Sequence, residues 1–133
     1  NSPATSILQF GGSTIYEGRQ NLSGFQSLTL PLIAGSSETI SSNNDTLRIN
    51  GFLIDTGVTP VTVSTSYTVP ANKILVILNL WGFSIQMSGI NLYVGTGSYQ
   101  TTAGLTSFHN PFFIDEGQTI TITGTINGYL MDK

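Results

Sequence analysis

Apolar and polar residues alternate along much of the chain, in short segments bounded by glycine, asparagine and serine. In QTITITGTI, residues 118–126, the alternation places Ile120, Ile122 and Ile126 on one face and threonines on the other, which indicates a half-buried β-strand. The segment KILVILNLW, residues 73–81, is apolar at nearly every position. It predicts a central strand, or a strand covered by another subunit. We therefore expect an all-β fold, either an antiparallel β-sandwich or a jelly roll.

The chain also repeats itself. INGFLID, residues 49–55, returns 77 residues later as INGYLMD, residues 126–132. LQFGGSTIYEG, residues 8–18, matches IQMSGINLYVG, residues 85–95, at the same offset. Ordered matches of this kind are typical of an internal duplication.

The repeat predicts how the chain is organised. We expect a single β domain, 1–133, built from two related units, 7–55 and 84–132, with linking strands in 56–83. The Ile-Asn-Gly-aromatic-Leu motif is interpreted as the closing strand of each unit, with its apolar residues facing inward and its Asn-Gly pair bending or bulging the strand. An Asn-Gly hairpin turn is the alternative.

Composition narrows the classes of function. Charged residues make up 8% of the 133 residues, and the formal net charge is −3. Ordinary soluble domains contain about 25% charged residues. A neutral, hydroxyl-rich surface of this kind favours a location outside a cell, at the cell surface or on a virion. The basic residues are Arg19, Arg48, Lys73 and Lys133. They are too few and too scattered to bind nucleic acid. No apolar run is long enough for membrane insertion.

The sequence offers little catalytic chemistry. No two of its seven acidic residues have a spacing that singles them out, and it contains one histidine and no cysteine. A G-x-S-x-G nucleophile motif and a calcium-loop spacing are both missing from the sequence. We therefore predict no catalytic residues, no metal site and no cofactor.

Ligand contacts are predicted at a few aromatic and polar residues. Tyr99 lies in the glycine-, serine- and threonine-rich stretch GTGSYQTTAG, where an aromatic ring can stack on a sugar. His109 and Asn110 are expected on a neighbouring loop, and Trp81 is a further candidate. Two alternatives stay open: His109 as a hydrogen-bonded loop or strand-edge histidine, and Trp81 as a core or subunit-interface residue.

Two longer segments carry a resemblance to a known class of modules. YTVPANKILVILNLWGF, residues 67–83, and PFFIDEGQTITITGTINGYLM, residues 111–131, resemble bacteriophage tail-fibre tips and bacterial surface-fibre modules. That resemblance implies a trimeric β-sandwich head that binds a cell-surface receptor, often a glycan. It implies no catalytic residues.

Taken together, the sequence predicts an extracellular or virion-surface attachment module. We expect a homotrimer whose receptor is a cell-surface glycan or protein and whose weak sites act together. Two alternatives remain: a structural subunit of a capsid, pilus or fibre without a ligand, and a secreted carbohydrate-active enzyme domain.

Overall fold

A computed structural model of the chain describes residues 5–19, 28–43, 49–51, 53, 57–95 and 105–133, and this part of the chain contains β-strands and no helix. The strands are β1 (Thr5–Phe10), β2 (Ser13–Arg19), β3 (Ile40–Ser42), β4 (Thr59–Val63), β5 (Tyr67–Thr68), β6 (Lys73–Met87), β7 (Ile90–Val94), β8 (Leu105–Ile114) and β9 (Thr119–Asp132).

The strands form two antiparallel sheets. The smaller sheet has the order β2-β1-β3. The larger has the order β4-β9-β6-β7, with β5 pairing with β9 and β8 pairing with β6. Strand β2 contacts β4, β6 and β9, so the smaller sheet lies against a face of the larger one. The predicted all-β, antiparallel, sandwich-like fold is confirmed.

The main core lies on one face of β6 and β9. Ile120, Ile122 and Ile126 are buried and the threonines at 119, 121 and 123 are exposed, as the alternation predicted. Thr125 is buried instead, so the prediction is wrong for this threonine, which pairs with Trp81 where both faces of the sheet are covered. Strand β6 pairs with β9 along one edge and with β7 and β8 along the other. The prediction of a central strand in 73–81 is therefore confirmed. Strands β4, β5 and the first part of β6 lie within 56–83, and the role of this segment as a link between two units stays a prediction.

A second, smaller core covers the opposite face of β6. It contains Leu8, Phe10 and Ile15 from the smaller sheet, and Trp81 of β6 packs against it. Both faces of β6 are thus buried near its middle, which explains why this strand is apolar on both faces.

The second copy of the Asn-Gly motif lies inside β9. The register of β6 against β9 shifts between Ile77 and Asn79, opposite Asn127 and Gly128. The irregularity expected at the Asn-Gly pair is therefore present, although the extra residue belongs to β6. Asn127 and Gly128 both belong to β9 and pair with residues of β6. The hairpin-turn alternative is therefore wrong for this copy.

The first copy of the motif behaves differently. Residues 49–51 form no strand, and no described strand pairs with them. Ile49 and Leu53 are both exposed. The prediction of an inward-packed closing strand is wrong here. The physical reason is a difference in neighbouring strands: the second copy lies between β4 and β6, which satisfy both edges of its backbone, whereas no described strand flanks 49–51.

Two hairpins nevertheless share their geometry at the predicted offset. The β1–β2 turn is Gly11-Gly12, with φ of 54° and 86°, and the β6–β7 turn is Ser88-Gly89, with φ of 52° and 75°. Two successive positive φ values are typical of a type I′ hairpin turn. The register shifts directly after Leu8 in the first hairpin and directly after its equivalent in the second.

The same correspondence extends to the third strand of each group. Phe10 of β1 pairs with Ile40 of β3, and Met87 of β6 pairs with Ile120 of β9. The arrangement β2-β1-β3 therefore has the same order and register as β7-β6-β9. A duplication of the whole of 7–55 stays a prediction, because residues 49–51 differ from their counterparts in β9.

Candidate functional site

Within the described residues, a shallow cleft lies at one end of the larger sheet and is the candidate site. It has a volume of about 470 Å³ and lies between the β6–β7 turn and the start of β9. The residues that line it are all polar or glycine: Ser88, Gly89, Gly117, Gln118, Thr119 and Thr121.

The cleft offers hydrogen-bonding groups without formal charge. Its side chains supply three hydroxyl groups and the amide of Gln118, each of which both donates and accepts hydrogen bonds. The Thr119 hydroxyl lies 2.7 Å from the Thr68 hydroxyl, so the two form a hydrogen bond. Such a surface suits a neutral, hydroxyl-bearing ligand and provides neither an anion nor a cation for a charged one.

The equivalent position in the first copy is chemically different. Glu38 occupies the place of Gln118 at the predicted offset of 80 residues. Its carboxylate accepts a 2.6 Å hydrogen bond from the Gly35 amide and lies next to Gly11. The neutral character of the cleft is therefore specific to the second copy.

An exposed ionic cluster fixes the turn that contributes Gly117 to the cleft. Lys133 Nζ lies 2.9 Å from Asp115 Oδ1 and 2.9 Å from Glu116 Oε1. The backbone N–H of Asn72 donates a 2.6 Å hydrogen bond to Glu116 Oε2. Lys133 and the turns at 70–73 and 115–117 are thus held together.

Hydrogen bonds within the cluster lower the pKa values of its two carboxyl groups. The hydrogen bond from Lys133 lowers the pKa of Asp115, and the hydrogen bond from the Asn72 amide, followed by that from Lys133, lowers the pKa of Glu116. A carboxylate whose pKa is depressed in the folded state stabilises that state at neutral pH, and the stabilisation is lost as the pH falls through the folded-state pKa. We expect this loss below the ordinary pKa values of 3.8 and 4.5.

Replacing Lys133 with methionine is expected to raise the pKa of Asp115 towards its ordinary value, because the hydrogen bond from Lys133 is the largest cause of its depression. The measurement is an NMR titration of the side-chain carboxyl carbons. Lys73→Met is the matched control, because Lys73 pairs with Asp132 instead. An Asp115 pKa that is the same in Lys133→Met and the parent chain would contradict the assignment.

Among the described residues, the predicted ligand residues His109, Asn110 and Trp81 do not line the cleft. Tyr99 lies outside the described residues. His109 and Asn110 are exposed, as a contact role requires, but they belong to β8 and not to a loop. Trp81 is half-buried and packs against the second core, which favours the core alternative given for it. A ligand role for these residues stays a prediction.

Sequence reasoning missed the structural role of two buried asparagines. Asn79 of β6 and Asn127 of β9 are paired across the larger sheet, and neither is exposed. Both side chains bond to the backbone of 30–33, a segment that crosses the sheet. A single asparagine inside an apolar run was the available signal, because a buried amide requires hydrogen-bond partners.

Two classes of site are not found in the described part of the chain. No group of three or more histidine, cysteine, aspartate or glutamate side chains there could hold a metal ion. Across the same residues, no helix has the length and apolar character needed to span a membrane.

In comparisons with known proteins, no protein-family model, no curated protein and no solved structure matches the chain.

Proposed function

We propose that the chain is an attachment module of a cell surface or virion, and that it binds a cell-surface glycan through the cleft at 88–89 and 117–121. The observation that carries this proposal is the uncharged, hydroxyl-lined cleft. Sugars present hydroxyl groups that donate and accept at once, which matches the hydroxyl and amide groups of this surface.

Weak single sites fit this role if several copies act together. The cleft is open and shallow, and hydrogen bonds exchanged with water contribute only about 0.5–1.5 kcal/mol each. Linking several sites raises the overall affinity by roughly 10²–10⁴ without new contacts. We therefore propose a homotrimer, with light scattering as the test of its assembly.

A structural subunit of a capsid, pilus or fibre is the second candidate. Ile90 and Val94 of β7 and Phe113 of β8 are exposed, with Ile90 at 69% and Phe113 at 64%. Exposed large apolar side chains mark a protein-contact surface where they form one contiguous patch. The same side chains also suit a trimer interface, so they support assembly under either candidate.

An array of neutral and acidic oligosaccharides, probed with a bead-displayed multivalent form of the chain, tests the proposal. We expect binding to neutral glycans. Thr121→Val should weaken that binding about fivefold for a single site, because it removes one hydroxyl worth about 1 kcal/mol.

Thr123→Val is the matched control. Thr123 is exposed on the same face of β9 but does not line the cleft, so its replacement should leave binding unchanged. If both valine variants bind as the parent chain does, the cleft is not the site. If the parent binds no glycan, the structural candidate is favoured.

A further inference from the structure

The chain contains two Asn-Gly pairs, Asn50-Gly51 and Asn127-Gly128, in opposite surroundings. We infer that Asn50 is a site of spontaneous deamidation, while Asn127 is protected by the fold. The inference rests on the backbone and packing around each pair, and it is independent of the proposed function.

The reaction needs only the chain and water. The backbone nitrogen of the glycine attacks the side-chain carbonyl carbon of the preceding asparagine and forms a five-membered imide. The bond from that carbon to the amide nitrogen breaks, and ammonia leaves with the proton lost by the glycine nitrogen. Water then opens the imide at either carbonyl, giving aspartate or isoaspartate. Glycine favours the attack because it carries no Cβ to obstruct the approach.

Asn50 has the freedom that this attack requires. Residues 49–51 belong to no strand, and all three are exposed. A Cβ placed on Gly51 would meet no atom within 4 Å. Packing against the described residues therefore does not keep the backbone or the side chain of Asn50 from reaching the geometry of attack.

Asn127 is held in place by three hydrogen bonds. Its Oδ1 accepts from the Ile33 amide at 2.8 Å, and its Nδ2 donates to the Ile33 carbonyl at 2.7 Å and to the Thr62 hydroxyl at 2.9 Å. The backbone of Gly128 is packed so closely against β6 that an added Cβ would lie 2.0 Å from the Val76 carbonyl oxygen. The imide cannot form here unless β9 first leaves the sheet.

The consequence is a selective change in charge at one exposed segment. Deamidation of Asn50 adds a negative charge to a chain whose formal net charge is −3. Isoaspartate also inserts an extra methylene into the backbone, which the unpaired segment at 49–51 can accept and a paired strand cannot.

The test follows both pairs in one sample of the full-length folded chain at mildly alkaline pH. Trypsin cleaves after Arg48 and Lys73, so Asn50 falls in peptide 49–73 and Asn127 in peptide 74–133. Mass spectrometry then resolves the conversion of amide to acid in each. We expect Asn127 to react more slowly by a factor of roughly 10³ or more, because its reaction depends on an opening close to global unfolding.

Two controls test whether the folded structure causes the difference in deamidation rate between Asn50 and Asn127. In denaturant the two rates should become similar, because both pairs then lack structure. In the folded chain, Gly51→Ala should suppress conversion of Asn50. Equal rates in the folded chain, faster conversion at Asn127, or no conversion at Asn50 while the denatured chain reacts would each overturn the inference.

Discussion

Replacing Gly128 with alanine is expected to destabilise the fold by more than about 3 kcal/mol, enough to unfold a marginally stable domain. The added Cβ would lie 2.0 Å from the Val76 carbonyl oxygen and 3.1 Å from Ile77 Cα. Both obstacles are backbone atoms of the central strand β6, so no side-chain rotation relieves the clash. Urea denaturation followed by circular dichroism measures the loss.

The repeat supplies the control for this substitution. Gly51→Ala changes the equivalent glycine of the first copy, where an added Cβ would meet nothing within 4 Å. Its effect on the free energy of unfolding should stay within about 0.5 kcal/mol, or be slightly stabilising. Equal losses in the two variants would contradict the placement of Gly128 inside the sheet.

Replacing Asn127 with alanine is expected to cost about 3 kcal/mol. Alanine removes the partners of the Ile33 amide, the Ile33 carbonyl and the Thr62 hydroxyl. Desolvated backbone groups without partners carry most of this penalty. The measurement is the same urea denaturation, with Asn50→Ala as the exposed control and an expected change near zero.

Asn79 gives a second comparison within the same region. Its Nδ2 donates to the Pro31 carbonyl at 2.8 Å, but its buried Oδ1 accepts no hydrogen bond in the described part of the chain. Asn79→Ala should therefore cost less than Asn127→Ala. A larger loss at Asn79 would show that the crossing segment 30–33 is held mainly from β6 and not from β9.

Alternation was sufficient to predict the strands with one exposed face. The inward isoleucines of β9 follow directly from a period of two, because burial on one face fixes the register. The apolar run of β6 was also readable, although the sequence could not distinguish a covering subunit from the smaller sheet that covers it here. The local pattern of apolar and polar residues predicts the period of a strand, but it does not identify the strands, sheets or subunits that pack beside it.

The two Asn-Gly motifs show where local reasoning fails. Ile-Asn-Gly is buried within β9 at 126–128, whereas the same three residues at 49–51 are exposed and belong to no strand. The difference lies in tertiary neighbours, since β4 and β6 flank only the second copy. The intrinsic β-propensity of Ile-Asn-Gly is the same in both copies, so the difference in structure comes from the flanking strands.

The candidate site was hard to predict for a related reason. Its residues come from two turns and a strand end that are distant in sequence, at 88–89 and 117–121. Each residue is an ordinary turn or exposed strand residue by itself. Aromatic residues and the histidine stand out in the sequence by residue type, whereas the cleft is defined by its shape.

The most direct test of the account is an NMR map of backbone amide shifts on addition of the neutral oligosaccharide that binds best on the array. If the glycan binds in the cleft, the shifts will be concentrated at Ser88, Gly89 and 117–121, with little change around 109–110. Shifts centred on His109 and Asn110, or no shift with any oligosaccharide, would contradict binding in the cleft.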